Sequence, residues 1–440
     1  MDILKDKIRP MYGKYLVAAS GSAMISCVFG MIDAMMVGQY HGPTGNAAMA
    51  VCSPLWSIFY SLGLLAGIGG SVLFGNHRGR GGEDRTAQEY FTLSVLFGIV
   101  LTILAMAGIG LFHERLLRFF GADDELIVLA KQYFIPLFFA MPCCVFSYIL
   151  SSYIRNDGNP ALPTKAVLYG GILNVFGDYV FVFMLDLGIL GAGIATAIGL
   201  YVSSFLMLLH FWGKKNTLRL VWPTQISRKI VFISVTGFST AINDLAMGII
   251  GILFNRQIMK YFGSNALAVY GIITQVTIFA QCMAYGIGQA AQPILSQNLG
   301  AGKYGRIREC LRYGLFTCGC YGAVLTAGVV LMPNAFVHFF MRPTEAVLEI
   351  APAILRSYGL SYILLPFNLF ATYYLQSMMK PNPSMIVSLA RGAIVSGVMI
   401  IVLPVMAGAD ALWYSMLITE LLVAAYASVH MIKCTKKLAK

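Results

Sequence analysis

Charge is what this 440-residue sequence has least of: 11% of residues are Asp, Glu, Lys or Arg, against about a quarter in an ordinary soluble domain. A chain of this length with so few charges cannot cover two or three separate cores with a wet surface. Cysteine is scarce too, nine in all, in no paired CxxC spacing, so a disulfide scaffold and a structural zinc site are both excluded; we read the cysteines as small apolar packing residues. The six histidines are scattered, and His113-Glu114 lacks the second histidine of a zinc-protease helix. There is no HExxH, no paired Asp-rich diphosphate motif and no Ser/His pair on adjacent helices. An intramembrane enzyme therefore has no sequence support, and no organic cofactor is expected. What is abundant is apolar: 58% of residues are hydrophobic. This is the composition of an all-α polytopic membrane protein.

Apolar runs of about 20 residues, bounded by charges or Gly/Pro/Asn breaks, predict twelve spans. Their expected limits are 16–37, 46–75, 91–112, 126–154, 166–185, 189–212, 230–258, 266–295, 311–333, 347–377, 384–405 and 411–432. Lys5, Lys7, Arg9 and Lys14 precede the first run with no small-residue cleavage site, so a retained first helix is expected. With an even number of spans both termini share a side. Of the 31 basic residues, 23 fall in the terminal segments and loops of that side and 6 in the opposite set, with Arg356 and Arg391 inside spans. The positive-inside bias places both termini in the cytoplasm of a plasma (inner) membrane protein. The net charge of +12 then reflects loops facing anionic lipid, and no nucleic-acid partner is expected.

An internal repeat divides the chain. Gly67-Ile68-Gly69, Gly79-Arg80-Gly81 and Arg85 are echoed by Gly286-Ile287-Gly288, Gly300-Ala301-Gly302 and Arg306, and Asn159-Pro160 by Asn382-Pro383. Offsets near half the length imply two parallel six-helix bundles around a central cleft, the plan of a transporter. The expected organisation is an amino-terminal lobe over 1–212, a basic interlobe linker over 213–229 and a carboxy-terminal lobe over 230–440.

Four acidic residues fall within spans: Asp33, Asp178, Asp244 and Glu420. An ionised carboxylate there is costly unless it faces a cavity or a partner, so each is a functional candidate. Asn174 and Asp178, spaced i, i+4, share a helix face. By topology Asp33, Asn174, Asp178 and Thr196 lie at one level, roughly 8 to 12 Å below the outer surface at 1.5 Å rise per residue. Two close carboxylates with no basic residue nearby must share a proton or hold a hard cation such as sodium. The alternative is a polar knot that only holds the lobe together. Asp244 reads equally as a wall of a substrate pocket or as a structural carboxylate, and Glu420 as a buried hydrogen-bonded acid. Gln275, Met283, Tyr362 and Asn368 fall on second-lobe helices expected to face the cleft.

Several motifs resemble the multidrug and toxic compound extrusion (MATE) family, in particular its DinF-like branch. They are Asp33-Ala34-Met35-Met36-Val37-Gly38, Ile154-Arg155-Asn156-Asp157-Gly158-Asn159-Pro160, Asn174-Val175-Phe176-Gly177-Asp178 running on to Gly191-Ala192-Gly193-Ile194-Ala195-Thr196, and Pro293-Ile294-Leu295-Ser296-Gln297-Asn298-Leu299-Gly300. The resemblance implies an antiporter that expels organic, chiefly lipophilic cationic molecules, as a monomer, in exchange for protons or sodium ions. It implies a cation site on Asp33, Asn174, Asp178 and Thr196. The second lobe lacks counterparts at the repeat offsets, so coupling is expected in the first lobe alone. One departure concerns movement: the family's first-helix proline is replaced by Ala18, leaving Gly21 or Gly30 to permit any bend. A flippase for a lipid-linked sugar shares the architecture, but only Arg356 and Arg391 would line its cavity with positive charge.

Overall fold

A computed structural model describes residues 2–81, 85–341 and 343–437, which are helical almost throughout. Twelve spans result. The first two form one continuous rod over 8–81, broken only at Gly42, whose φ of 66° and ψ of −152° no side-chain-bearing residue adopts without strain. We call its halves α1 (8–41) and α2 (43–81). The others are α3 (Arg85–Phe119), α4 (Leu126–Asn156), α5 (Ala161–Met184), α6 (Gly188–Trp212), α7 (Ile226–Tyr261), α8 (Ser264–Gly300), α9 (Tyr304–Leu331), α10 (Glu345–Ser377), α11 (Pro381–Ala407) and α12 (Ala409–Lys436). A two-turn helix, Pro333–Phe340, joins α9 to α10.

The helices overrun the expected spans. At 37 residues, α8 is about 55 Å long, well beyond the hydrocarbon core of roughly 30 Å. In α8 most of the overrun, 296–300, lies at the end that carries the termini and most basic residues, here called the basic end. Gly79-Arg80-Gly81, expected in a loop, is the last turn of α2.

Helices α1–α6 and α7–α12 make two bundles that meet along a seam at the basic end. The seam is built on the repeated glycines. A Cβ on Gly79 would sit 2.0 Å from the Gln297 carbonyl oxygen, one on Gly300 1.8 Å from that of Asn76, and one on Gly237 2.0 Å from that of Leu65. Backbone thus packs on backbone between α2 and both α7 and α8. Polar bonds close the same seam: Gln297 Nε2 donates to the Asn156 carbonyl at 2.6 Å, and Arg155 Nη1 to Gln289 Oε1 at 2.7 Å. Arg155, counted above with a loop, is in the last turn of α4 and only 5% exposed. These cross-bundle hydrogen bonds and glycine–carbonyl contacts all lie toward the basic end, which forms the closed apex of the molecule.

Residues 213–225 cross between the bundles without regular structure and are stitched to the first. The Arg219 amide donates to Gln88 Oε1 at 2.8 Å and the Val221 amide to Thr92 Oγ1 at 3.0 Å.

Candidate functional site

In the half of the first bundle away from the basic end, α1, α4, α5 and α6 bring oxygen-bearing side chains together. Thr196 Oγ1 donates to Asp33 Oδ2 at 3.4 Å and Asn174 Nδ2 to Thr196 Oγ1 at 3.2 Å. The Tyr133 hydroxyl donates to the same Asp33 Oδ2 at 3.2 Å. Asp178 lies within electrostatic reach of Asp33 and is 0% exposed. The four residues placed at one level from topology thus form one cluster. Tyr133 joins them as a fifth; among 23 tyrosines, no spacing singles it out.

The hydrogen bonds leave much of the cluster's oxygen unused. Asp33 Oδ1 and both carboxylate oxygens of Asp178 are buried without a hydrogen-bond partner, and the hydrogen bonds and ion pairs of the cluster include no Lys or Arg. Buried acceptors without donors are expensive. Protons shared between the carboxylates, or a hard cation held by carboxylate, amide and hydroxyl oxygens, would satisfy them. Local backbone helps place them: Asp178 directly precedes a π-helical turn, Tyr179–Met184. There the Leu185 amide reaches back five residues to the Val180 carbonyl at 2.8 Å. Such widened turns re-aim side chains and recur at functional sites.

A second constellation lies in the crevice between the bundles. Asp244 of α7 is half-buried and has one long contact, from the Tyr285 hydroxyl at 3.5 Å. Tyr60 and Tyr148 of the first bundle and Tyr285 and Tyr373 of the second are within its electrostatic reach. Tyr60 and Tyr148 pack edge to face with ring centroids 4.6 Å apart. On α8, Gln275 is exposed and Met283 half-buried. Asn368 and Tyr362 do not face this crevice: Asn368 is buried inside the second bundle against Glu420, and the Tyr362 hydroxyl bonds Thr277 at 2.9 Å. Both point inward because α10 turns that face toward α8 and α12. Glu420, open between a functional role and a buried hydrogen-bonded acid, is buried and hydrogen-bonded, and its partner is Arg391.

Two parallel six-helix bundles, a crevice closed at one end and a buried acidic cluster in one bundle define a multi-pass membrane transporter. The MatE family profile matches residues 19–180 and 240–403, one segment in each bundle, and the chain belongs to that family. It is 23% identical over 406 residues to the multidrug export protein MepA of Staphylococcus aureus (strain NCTC 8325 / PS 47), covering 91% of this chain and 88% of that protein. It is 24% identical over 362 residues to the probable multidrug resistance protein YoeA of Bacillus subtilis (strain 168), covering 80% and 77%. Among solved structures, a MATE family multidrug resistance transporter of the MOP superfamily in an outward-facing conformation superposes with a TM-score of 0.91 at 18% identity, over 99% of this chain and 98% of that one.

Proposed function

We propose that this chain is a secondary antiporter of the plasma membrane that exports lipophilic organic cations in exchange for protons or sodium ions. The observation that carries the reading is the Asp33/Asp178 pair, buried, close together and without a basic partner. The relative named as a multidrug export protein, MepA, supports the same direction of use. On this reading the basic end faces the cytoplasm, both termini are cytoplasmic, and the crevice is open to the outside. One chain holds the whole acidic cluster, so a monomer suffices.

Asp244 is the counter-charge for the cargo. A carboxylate flanked by tyrosine faces attracts a flat cation through both charge and the ring quadrupoles. Cations entering at Asp33/Asp178 stabilise one arrangement of the first bundle, the cargo stabilises another, and the two ligands compete through conformation without overlapping. The test is efflux of a fluorescent lipophilic cation from proteoliposomes, with proton and sodium gradients imposed separately. One gradient should drive wild-type efflux, and Asp33→Asn and Asp178→Asn should each abolish the driven component while leaving the protein monodisperse. Normal driven efflux by both variants would sink the coupling assignment.

A further inference from the structure

The second bundle holds a charged cluster of its own, on the repeat counterparts of the helices that build the first. Asp33, Tyr133, Asp178 and Thr196 come from α1, α4, α5 and α6; Asn243, Asn368, Arg391 and Glu420 come from α7, α10, α11 and α12. The Arg391 Nε donates to Glu420 Oε1 at 2.8 Å, and Asn368 Nδ2 to Glu420 Oε2 at 2.5 Å. Arg391 is 4% and Glu420 1% exposed. Arg391 also lies within a π-helical turn, Ala390–Ile394, as Asp178 adjoins one in α5.

This cluster opens on a chamber of about 70 Å³ inside the bundle, lined by Asn243, Gln281, Thr274, Tyr358, Arg391 and Glu420 among others. The volume admits several waters at the 10–15 Å³ each requires. Asn243 is 2% exposed, and neither atom of its amide has a hydrogen-bond partner. A simple structural salt bridge explains little of this. A buried pair is weak in net stabilisation, and it needs no chamber and no unsatisfied amide beside it.

We propose that the second bundle contains a cation site of the same chemical kind as the first, closed to exchange because Arg391 is its permanently bound cation. The inference rests on reading Asp33/Asp178 as an ion site. A guanidinium does not lose its charge at any physiological pH, so it occupies the Glu420 carboxylate continuously. Among the described residues, the Asp33/Asp178 cluster has no Lys or Arg bonded to its carboxylates, and there the equivalent place is left to a mobile ion. Other groups within electrostatic reach include Tyr358, near both Arg391 and Glu420, and Tyr285, near both Arg391 and Asp244. Removing Arg391 therefore leaves Glu420 needing a proton, a sodium ion or an added guanidinium.

The experiment follows thermal unfolding of the full-length protein in detergent while sodium, free guanidinium or acid is added. The Asp178→Asn background silences the first bundle. Against it, Asp178→Asn/Arg391→Ala should gain a saturable upward shift of about 3 °C with one of these cations, as ligand binding to the folded state requires. Adding Glu420→Gln should remove the shift. Should the Arg391→Ala protein need help to fold, extraction in low guanidinium supplies the missing cation, and its removal by dialysis starts the titration. A folded Asp178→Asn/Arg391→Ala protein that gains no response to any of the three overturns the proposal. Failure of the first-bundle reading looks different: Asp178→Asn alone would then respond as wild type does, whereas the proposal concerns only the difference that Arg391→Ala makes.

Discussion

The segment 154–160 shows how much one short turn can fix. Arg155 reaches across the seam to Gln289 and also bonds Ser22, while the hydroxyl of Tyr15 donates to its carbonyl. Asn156 donates to Gln292 at 3.3 Å. Gly158 takes a φ of +80° and lets the chain reverse. Asp157 turns the other way, into the first bundle, where Arg78 at 2.5 Å, His210 at 2.8 Å and both the amide and hydroxyl of Thr217 donate to it. Burial raises its pKa, but these donors outweigh burial and hold the carboxyl below its usual value. A depressed carboxylate stabilises the fold at any pH above its unfolded value, about 3.9, and loses that contribution as pH falls through the folded value. Asp157→Asn should lower stability by about 1–3 kcal/mol. The gap from wild type should be the same at pH 7 and pH 5 and shrink only below about pH 4, which unfolding midpoints across that range will check.

At the scale of single helices, the spans themselves were legible because apolar run length reports bilayer thickness, yet their ends were not. Charged residues such as Arg78 and Arg80 read as loop, but they sit on helix that has left the membrane, where charge costs nothing. The acidic cluster was legible because topology alone fixes depth. The Arg391–Glu420 pair was not: repeat offsets carry Asp178 to Ile401, whereas the second cluster uses other positions on the same helices, and which side chains meet depends on helix rotation that spacing does not encode. α1 bears on movement. It runs unbroken from 8 to 41 with no proline beyond Pro10 in its first turn, and Thr164 of α5 donates to the Ala18 carbonyl at 2.6 Å where the family has its proline. An Ala at Gly21 would meet only Thr164 Cγ2 at an ordinary 3.5 Å, and one at Gly30 nothing. The doubly substituted Gly21→Ala/Gly30→Ala protein should therefore be more stable by about 1 kcal/mol and keep efflux within about twofold if the bundles move as rigid bodies. A collapse of turnover with folding intact would show that α1 must bend.

For the whole molecule the seam sets which end is open. At Gly79, Gly237 and Gly300 its contacts are backbone carbonyl against glycine, so at these points there is no flexible side chain to give way. Gly300→Val would drive a branched side chain into the Asn76 carbonyl and should part the bundles at the basic end. Spin labels on the basic ends of α3 and α9 would report this as a longer distance population, and gradient-driven efflux should fall at least tenfold. An unchanged distance distribution would mean that the seam relaxes without opening.

The path of residues 213–225 adds a mechanical consequence. Glu89 at the start of α3 binds both Thr224 and Lys229, and Lys229 is already in α7. The two bundles are thus riveted to one another at their basic ends by a buried ion pair flanked by a short tether. A rivet there acts as a fulcrum. A rotation of about 15°, the size of known subunit rotations, would barely stir the groups around Glu89. The same rotation carries the far tip of a helix about 55 Å long through roughly 14 Å. Small rearrangements at the acidic cluster would in this way become a wide swing of the crevice mouth.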